Sequence, residues 1–164
     1  FNILKDVLRD YNHHTTTRAS AAWALGELRK SEAVDFLIEA FNNLPTDIRR
    51  ESARALLQIV RKHHNIMQKI LSVLRNNEEK RAGAAWVLSR YMAQFADIPR
   101  FLSELVNIVT DDNSRHWISY ILGMQTPTEE LKASLSLLKD EKVFFGVNLL
   151  WTVVNSWVWG LEEW

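Results

Sequence analysis

The stretch RASAAWALGEL, Arg18 to Leu28, sets four alanines around one tryptophan behind a leading arginine. Such a run suits a core helix, part of a membrane span, or one copy of a repeated unit. Laid over the rest of the chain, it returns as RRESARALLQI from Arg49, RAGAAWVLSRY from Arg81 and RHWISYILGMQ from Arg115, with a fainter copy, KVFFGVNLLWT, from Lys142. The steps between starts are 31, 32, 34 and 27 residues. A period of this size is the signature of a repeat architecture.

Two columns run through all five copies. The fourth residue after the start is Ala22, Ala53, Ala85, Ser119 and Gly146, and the seventh is Leu25, Leu56, Leu88, Leu122 and Leu149. Three residues apart, the two positions share one helix face. The small residue admits a neighbouring backbone, and the leucine fills the space beside it. The alanines are therefore read as a packing device.

Between the copies lie amphipathic segments: Ala33–Asn43, Ile66–Asn77, Pro99–Asp112 and Glu129–Glu141. Val34, Leu37, Ile38 and Phe41 define an apolar stripe, repeated by Met67, Ile70, Leu71 and Leu74 and by Leu102, Leu105, Val106 and Val109. This is helical spacing. Leu4 and Leu8 of FNILKDVLRD fall in the same register. Asn65 with Gln68 and Thr126 with Glu129 are expected to form capping boxes, Pro127 to open a helix, and Asp97 to cap the helix that Pro99 begins. The expected architecture is all-α: an α-solenoid of about ten helices in antiparallel pairs, similar to the armadillo and HEAT-like superhelices. No pair buries its own stripe, so each must stack on the next. The chain is read as one repeat domain over 1–164, with a half repeat at 1–12 and repeats from about 17, 48, 80, 114 and 141. Opening in mid-pattern, it is expected to be a piece of a longer protein.

Composition narrows the function. With 20 basic and 20 acidic side chains the net charge is zero, whereas a dedicated nucleic-acid binder carries a basic excess or face. There is no cysteine, so disulfides and thiolate metal sites are excluded, and the cytoplasm is the expected compartment.

This pattern resembles the HEAT-repeat family, and within it the short bacterial repeats named after phycobilisome lyases. The resemblance is carried by the arginine-led AAWALGEL helix and by TDIRRESARALLQI (Thr46–Ile59), with Asp47 and Arg49 at the family's acid and arginine positions. It covers nearly the whole chain and fades after Lys142. The acid before the arginine recurs as Glu79, but Thr16 and Asn113 replace it elsewhere, which leaves the implied ladder of acids and arginines incomplete. Iron-binding hydroxylase members carry His-Glu pairs; this chain has none, so that activity is not carried over.

The resemblance implies that the amphipathic helices line the concave side. Their residues opposite the apolar stripe are then the candidate partner-binding face: Asp35, Glu39, Asn42, Gln68, Ser72, Arg75, Ser103, Asn107, Lys132 and Lys139, acidic early and basic late. A solvated helix face and a protein-binding groove both fit such a strip. A second candidate is the column five residues after each start, Trp23, Arg54, Trp86 and Tyr120. It reads either as inter-repeat packing of large rings or as an exposed aromatic patch in which the arginine stacks on its neighbours.

Signals for catalysis are absent. The histidines occur as His13-His14, His63-His64 and His116. Adjacent helical residues point about 100° apart, and there is no His-x-x-x-His spacing, so no metal and no cofactor are expected. No nucleophile signature, P-loop or G-x-G-x-x-G is present. The uncharged run Val143–Leu161 approaches the length of a membrane span. However, Asn148 and Asn155 interrupt it, its tryptophans are spread through it, and its first half keeps the repeat register. It is read as a fifth arginine-type helix followed by a covering segment. Trp151, Trp157, Trp159 and Trp164 form a candidate terminal interface, and a route to self-association if bared.

The expected function is a non-catalytic scaffold, not an enzyme, binding a protein partner or a neighbouring domain of the same chain. Nucleic acid and membrane are not the expected partners. The alternatives are a DNA-binding or DNA-repair protein of the alkylpurine glycosylase type, and a lyase or chaperone subunit for a pigment.

Overall fold

The computed structural model describes residues 1–42, 45–95, 97–108, 112–125, 128–130 and 133. Among them are eight α-helices: α1 (Asn2–Arg9), α2 (Thr15–Leu28), α3 (Val34–Glu39), α4 (Thr46–Lys62), α5 (Met67–Asn76), α6 (Arg81–Phe95), α7 (Ile98–Asn107) and α8 (Asp112–Gly123). These are the first eight of the about ten expected; Glu129, Glu130 and Ala133 are also helical, and the rest of the stretches expected to supply the last helices lies outside the described residues. No strand occurs among the described residues, and the architecture is an α-solenoid.

The even-numbered helices are the arginine-led ones and the odd-numbered helices are the amphipathic ones. Within a pair, α1 packs on α2, α3 on α4 and α5 on α6. Each packing unit is thus an amphipathic helix followed by an arginine-led one. The small-residue and leucine columns meet in the core: Ala22, Ala53, Ala85, Leu25, Leu56 and Leu88 are all at 0 % exposure. The amphipathic stripes face them through Leu37, Ile70, Leu74 and Leu105. Each buried leucine or isoleucine contributes about 1.5–3 kcal/mol relative to exposure.

The two layers are held by different means. Along the arginine-led layer α2 packs on α4, α4 on α6 and α6 on α8, with α2 and α4 the most closely apposed. At Gly26 there is no room for a side chain, since a Cβ there would stand 2.6 Å from Ala55 Cα. Between the layers, a Cβ on Gly83 of α6 would run into the ring of Phe41, in the 3-10 turn after α3, 2.5 Å away. The amphipathic helices make no comparably close backbone approach to one another among the described residues. Long side chains span the wider gap instead. Lys69 pairs with Asp35, and Gln68 donates to Glu104 at 2.7 Å. Arg9 and Lys5 of α1 sit over the Phe36 ring of α3, at 4.2 and 4.5 Å.

The leading arginine closes two of the pairs by bonding to the preceding helix. Arg18 Nε donates to the Leu8 carbonyl at 2.9 Å. In α6, Arg81 Nε donates to Leu74 O and its Nη2 to Arg75 O, both at 2.9 Å. The last turn of a helix leaves carbonyls without intrahelical donors, and its negative dipole end favours a cation. A buried guanidinium from the start of the next helix meets both needs. Arg49 stands differently: its Nη2 donates to Thr46 Oγ1 at 3.0 Å, and its expected neighbour in the acid ladder, Asp47, pairs with Arg50 at 3.8 Å.

Helix starts differ in part from expectation. Asp97 Oδ1 accepts the Arg100 N–H at 3.1 Å, as a cap should. The capping box at Asn65 does not form, because Asn65 sits inside a 3-10 turn, His64–Ile66, that leads into α5. Asn77 caps another such turn by accepting the Lys80 N–H at 3.2 Å. His14 occupies the N-cap of α2 and accepts the Thr16 N–H at 3.5 Å. Thr126 and Pro127 lie outside the described residues.

Candidate interaction surfaces

The strip on the amphipathic layer is brought together as one exposed face. Asp35, Glu39, Gln68, Ser72, Arg75, Ser103 and Asn107 are all exposed. Three of them tie repeats together. Asp35 holds Lys69, Gln68 holds Glu104, and Glu39 accepts Lys80 Nζ at 2.8 Å. Lys80 is only 11 % exposed in its side chain, so it reaches Glu39 from a partly buried base. Asn42 belongs to the 3-10 turn Ala40–Asn42; its side chain lies outside the described set, as do Lys132 and Lys139. The expected passage from acidic to basic along the strip therefore reaches beyond the described residues.

The aromatic column divides. Trp86 is 3 % exposed and Tyr120 0 %, whereas Trp23 is 54 % exposed. Tyr120 stacks edge-on with Trp117, ring centroids 6.1 Å apart. Arg54 is on the surface, and its Nη1 donates to Glu51 at 2.8 Å. Arg90, one turn on in the same helix, places its guanidinium 5.6 Å from the centre of the Trp86 ring. The column therefore turns from surface to interior along the stack. The terminal candidates Trp151, Trp157, Trp159 and Trp164 lie outside the described residues, as does the uncharged run Val143–Leu161.

Besides a smaller recess of about 220 Å³ lined by Arg18 and Phe36 among others, two recesses open between repeats among the described residues. One, of about 380 Å³, is lined by residues including His64, Gln68, Tyr91, Asp97, Arg100 and Glu104. Its polar groups bond to each other: Tyr91 Oη and His64 Nδ1 are 3.2 Å apart, and Glu104 accepts from both Gln68 and Arg100. Burial, helped by the Glu104 charge and opposed by Arg100, raises the Tyr91 phenol above its ordinary value. This recess is an inter-repeat clasp. The other, an open groove of about 430 Å³, runs between α2 and α4 and is lined by Thr16, Ala19, Ser20, Trp23, Asp47 and Glu51. The sequence singles out Trp23, and Asp47 only as the family's acid position; it does not bring Asp47 and Glu51 to Trp23, because they come from the next repeat's first helical turns and occupy different columns.

The histidines take separate places. His13 lies 3.7 Å from Asp10, and His63 Nε2 donates to the Arg29 carbonyl at 3.1 Å. Among the described residues no group of three or more His, Cys, Asp or Glu side chains could hold a metal ion. No helix among them is long and apolar enough to cross a membrane.

Residues 1–58, covering α1 to α3 and most of α4, match the sequence model of the HEAT repeats family. Neither a curated protein nor a solved structure matched significantly.

Proposed function

We propose that this HEAT-repeat solenoid is a non-catalytic scaffold that holds a protein partner, or a neighbouring domain of the same chain, against its arginine-led layer. HEAT repeats in general mediate protein interaction. What supports this layer as the contact surface is Trp23, an indole half open on a helix whose Ala22 and Leu25 are fully buried. A rigid aromatic on fixed scaffolding offers much contact area with little ordering cost. Curvature favours the same layer. A stack bends toward the side on which its members stand closest, and that side is the one with the Gly26–Ala55 approach. The partner is accordingly assigned to this layer in place of the amphipathic strip that the family resemblance implied. Many of the strip's charges are already engaged in exposed pairs between repeats, each worth about 0–1 kcal/mol.

The test is capture with the full chain as bait, followed by identification of what is held. A specific protein should be retained by wild type and by Ser72→Lys on the amphipathic layer, and lost with Trp23→Ala. Retention unchanged by Trp23→Ala but abolished by Ser72→Lys would move the contact to the other layer, and no specific retention would end the scaffold reading.

A further inference from the structure

The groove between α2 and α4 carries a more particular chemistry. Helix α2 contributes Thr16, Ala19, Ser20 and Trp23 to its lining, with the Ser20 hydroxyl donating to the Thr16 carbonyl at 2.8 Å. Facing them are the carboxylates of Asp47 and Glu51. The lining holds two carboxylates and no basic residue beside an aromatic face, while Arg50 and Arg54 pair with those carboxylates from outside it. Asp47 is open to solvent, its side chain 61 % exposed and its contact with Arg50 a loose 3.8 Å. Glu51 is steadied by Arg54 at 2.8 Å, which uses one of its oxygens. An aromatic face attracts a cation through its quadrupole, and carboxylates within a few ångströms add directional hydrogen-bond acceptors.

From this arrangement we propose that the groove seats a basic side chain, arginine or lysine, from an extended segment of a partner protein. The cation lies over the Trp23 ring with its N–H groups directed at Asp47 and Glu51, and the segment's backbone passes across Thr16 and Ser20. A nucleic acid is disfavoured because its phosphates would face the same two carboxylates. The proposal rests on the scaffold reading above and names the chemistry its partner presents at this point.

The test uses the full chain and three fluorescently labelled probes at low salt: a short peptide with alternating alanine and arginine, its glutamate counterpart, and a random DNA duplex. Binding is read by anisotropy. The arginine peptide should bind, the glutamate peptide and the duplex should not, and added salt should weaken the complex. Trp23→Ala should weaken arginine-peptide binding about tenfold, in line with the loss of a cation–aromatic contact. Ser20→Lys, which places a cation at the groove margin without removing either carboxylate, should weaken it at least as much. Both positions are exposed, and circular dichroism checks that each variant keeps its helix content. Binding that neither variant changes overturns the proposal, as does preference for the acidic peptide or the duplex. If a partner is captured through Trp23 yet no variant-sensitive peptide binding is seen, the groove chemistry fails and the scaffold reading stands. If the peptide binds as expected but no protein is captured, the groove stands and the scaffold reading fails.

Discussion

Gly26 of α2 and Ala55 of α4 meet so closely that the space a Cβ would fill at Gly26 is already held by the Ala55 backbone, 2.6 Å from Cα. Flexible side chains yield to such a clash; a helix backbone does not. Gly26→Ala should therefore separate the two arginine-led helices. A loss of about 3 kcal/mol is expected, at the upper end for overpacking, and urea unfolding checks it. Gain of stability from the better helix former would show that the approach is looser than described.

Arg81 shows what the leading arginine contributes. Replacing it with methionine keeps much of the buried stem and removes both bonds to the Leu74 and Arg75 carbonyls. The expected loss is about 2–4 kcal/mol, the range for leaving buried polar groups without their charged donor. Arg81→Lys should recover only part of it, because a single ammonium cannot reproduce a planar fork reaching two carbonyls. Thermal unfolding of the two variants side by side gives the comparison.

Arg29 ends α2 in the left-handed region at φ 49°. Glycine is the usual occupant of such a position because a Cβ costs about 1 kcal/mol there. Arg29→Gly should raise stability by about that amount. Its contacts with Gly26 and His63 use only the backbone, so they survive the substitution. A fall in the unfolding midpoint would contradict this account.

Alkaline pH should weaken the fold through two phenols. Burial pushes Tyr120 far above the ordinary tyrosine range, and Tyr91 is raised as well. A group that holds its proton more tightly when folded adds nothing to the pH dependence below its unfolded value of about 10. Above that, the unfolded chain sheds the proton first and stability falls. Tyr120→Phe should reduce the loss between pH 8 and pH 11 by about 1 kcal/mol relative to wild type. Urea titrations at the two pH values measure it, and equal losses in both proteins would remove Tyr120 from the explanation.

Much of this fold was legible in the sequence. Ala22, Ala53 and Ala85 with Leu25, Leu56 and Leu88 are a packing code, since burial demands the same sizes at the same heights in each repeat. The leading arginine was visible as a column, but its task was not, since hydrogen bonding to the preceding helix's carbonyls leaves no mark in side-chain identity. The capping box at Asn65 failed because a 3-10 turn delays the start of α5. The aromatic column was found, yet Trp23 and Trp86 share a register while differing in exposure, because register fixes an angle about one helix and not what stands opposite it. The Trp23 groove depends on Asp47 and Glu51 from the following repeat, and only packing could bring them together.

The unequal bonding of the two layers has a mechanical corollary. The alanine-lined helices act as a stiff spine, whose separation would tear close-packed backbone apart. The opposite edge is laced by solvated ties such as Asp35–Lys69 and Gln68–Glu104, which lengthen or exchange with water at little cost. Such an object flexes about its spine like a bound book, changing the curvature of the layer along that spine far more readily than it stretches.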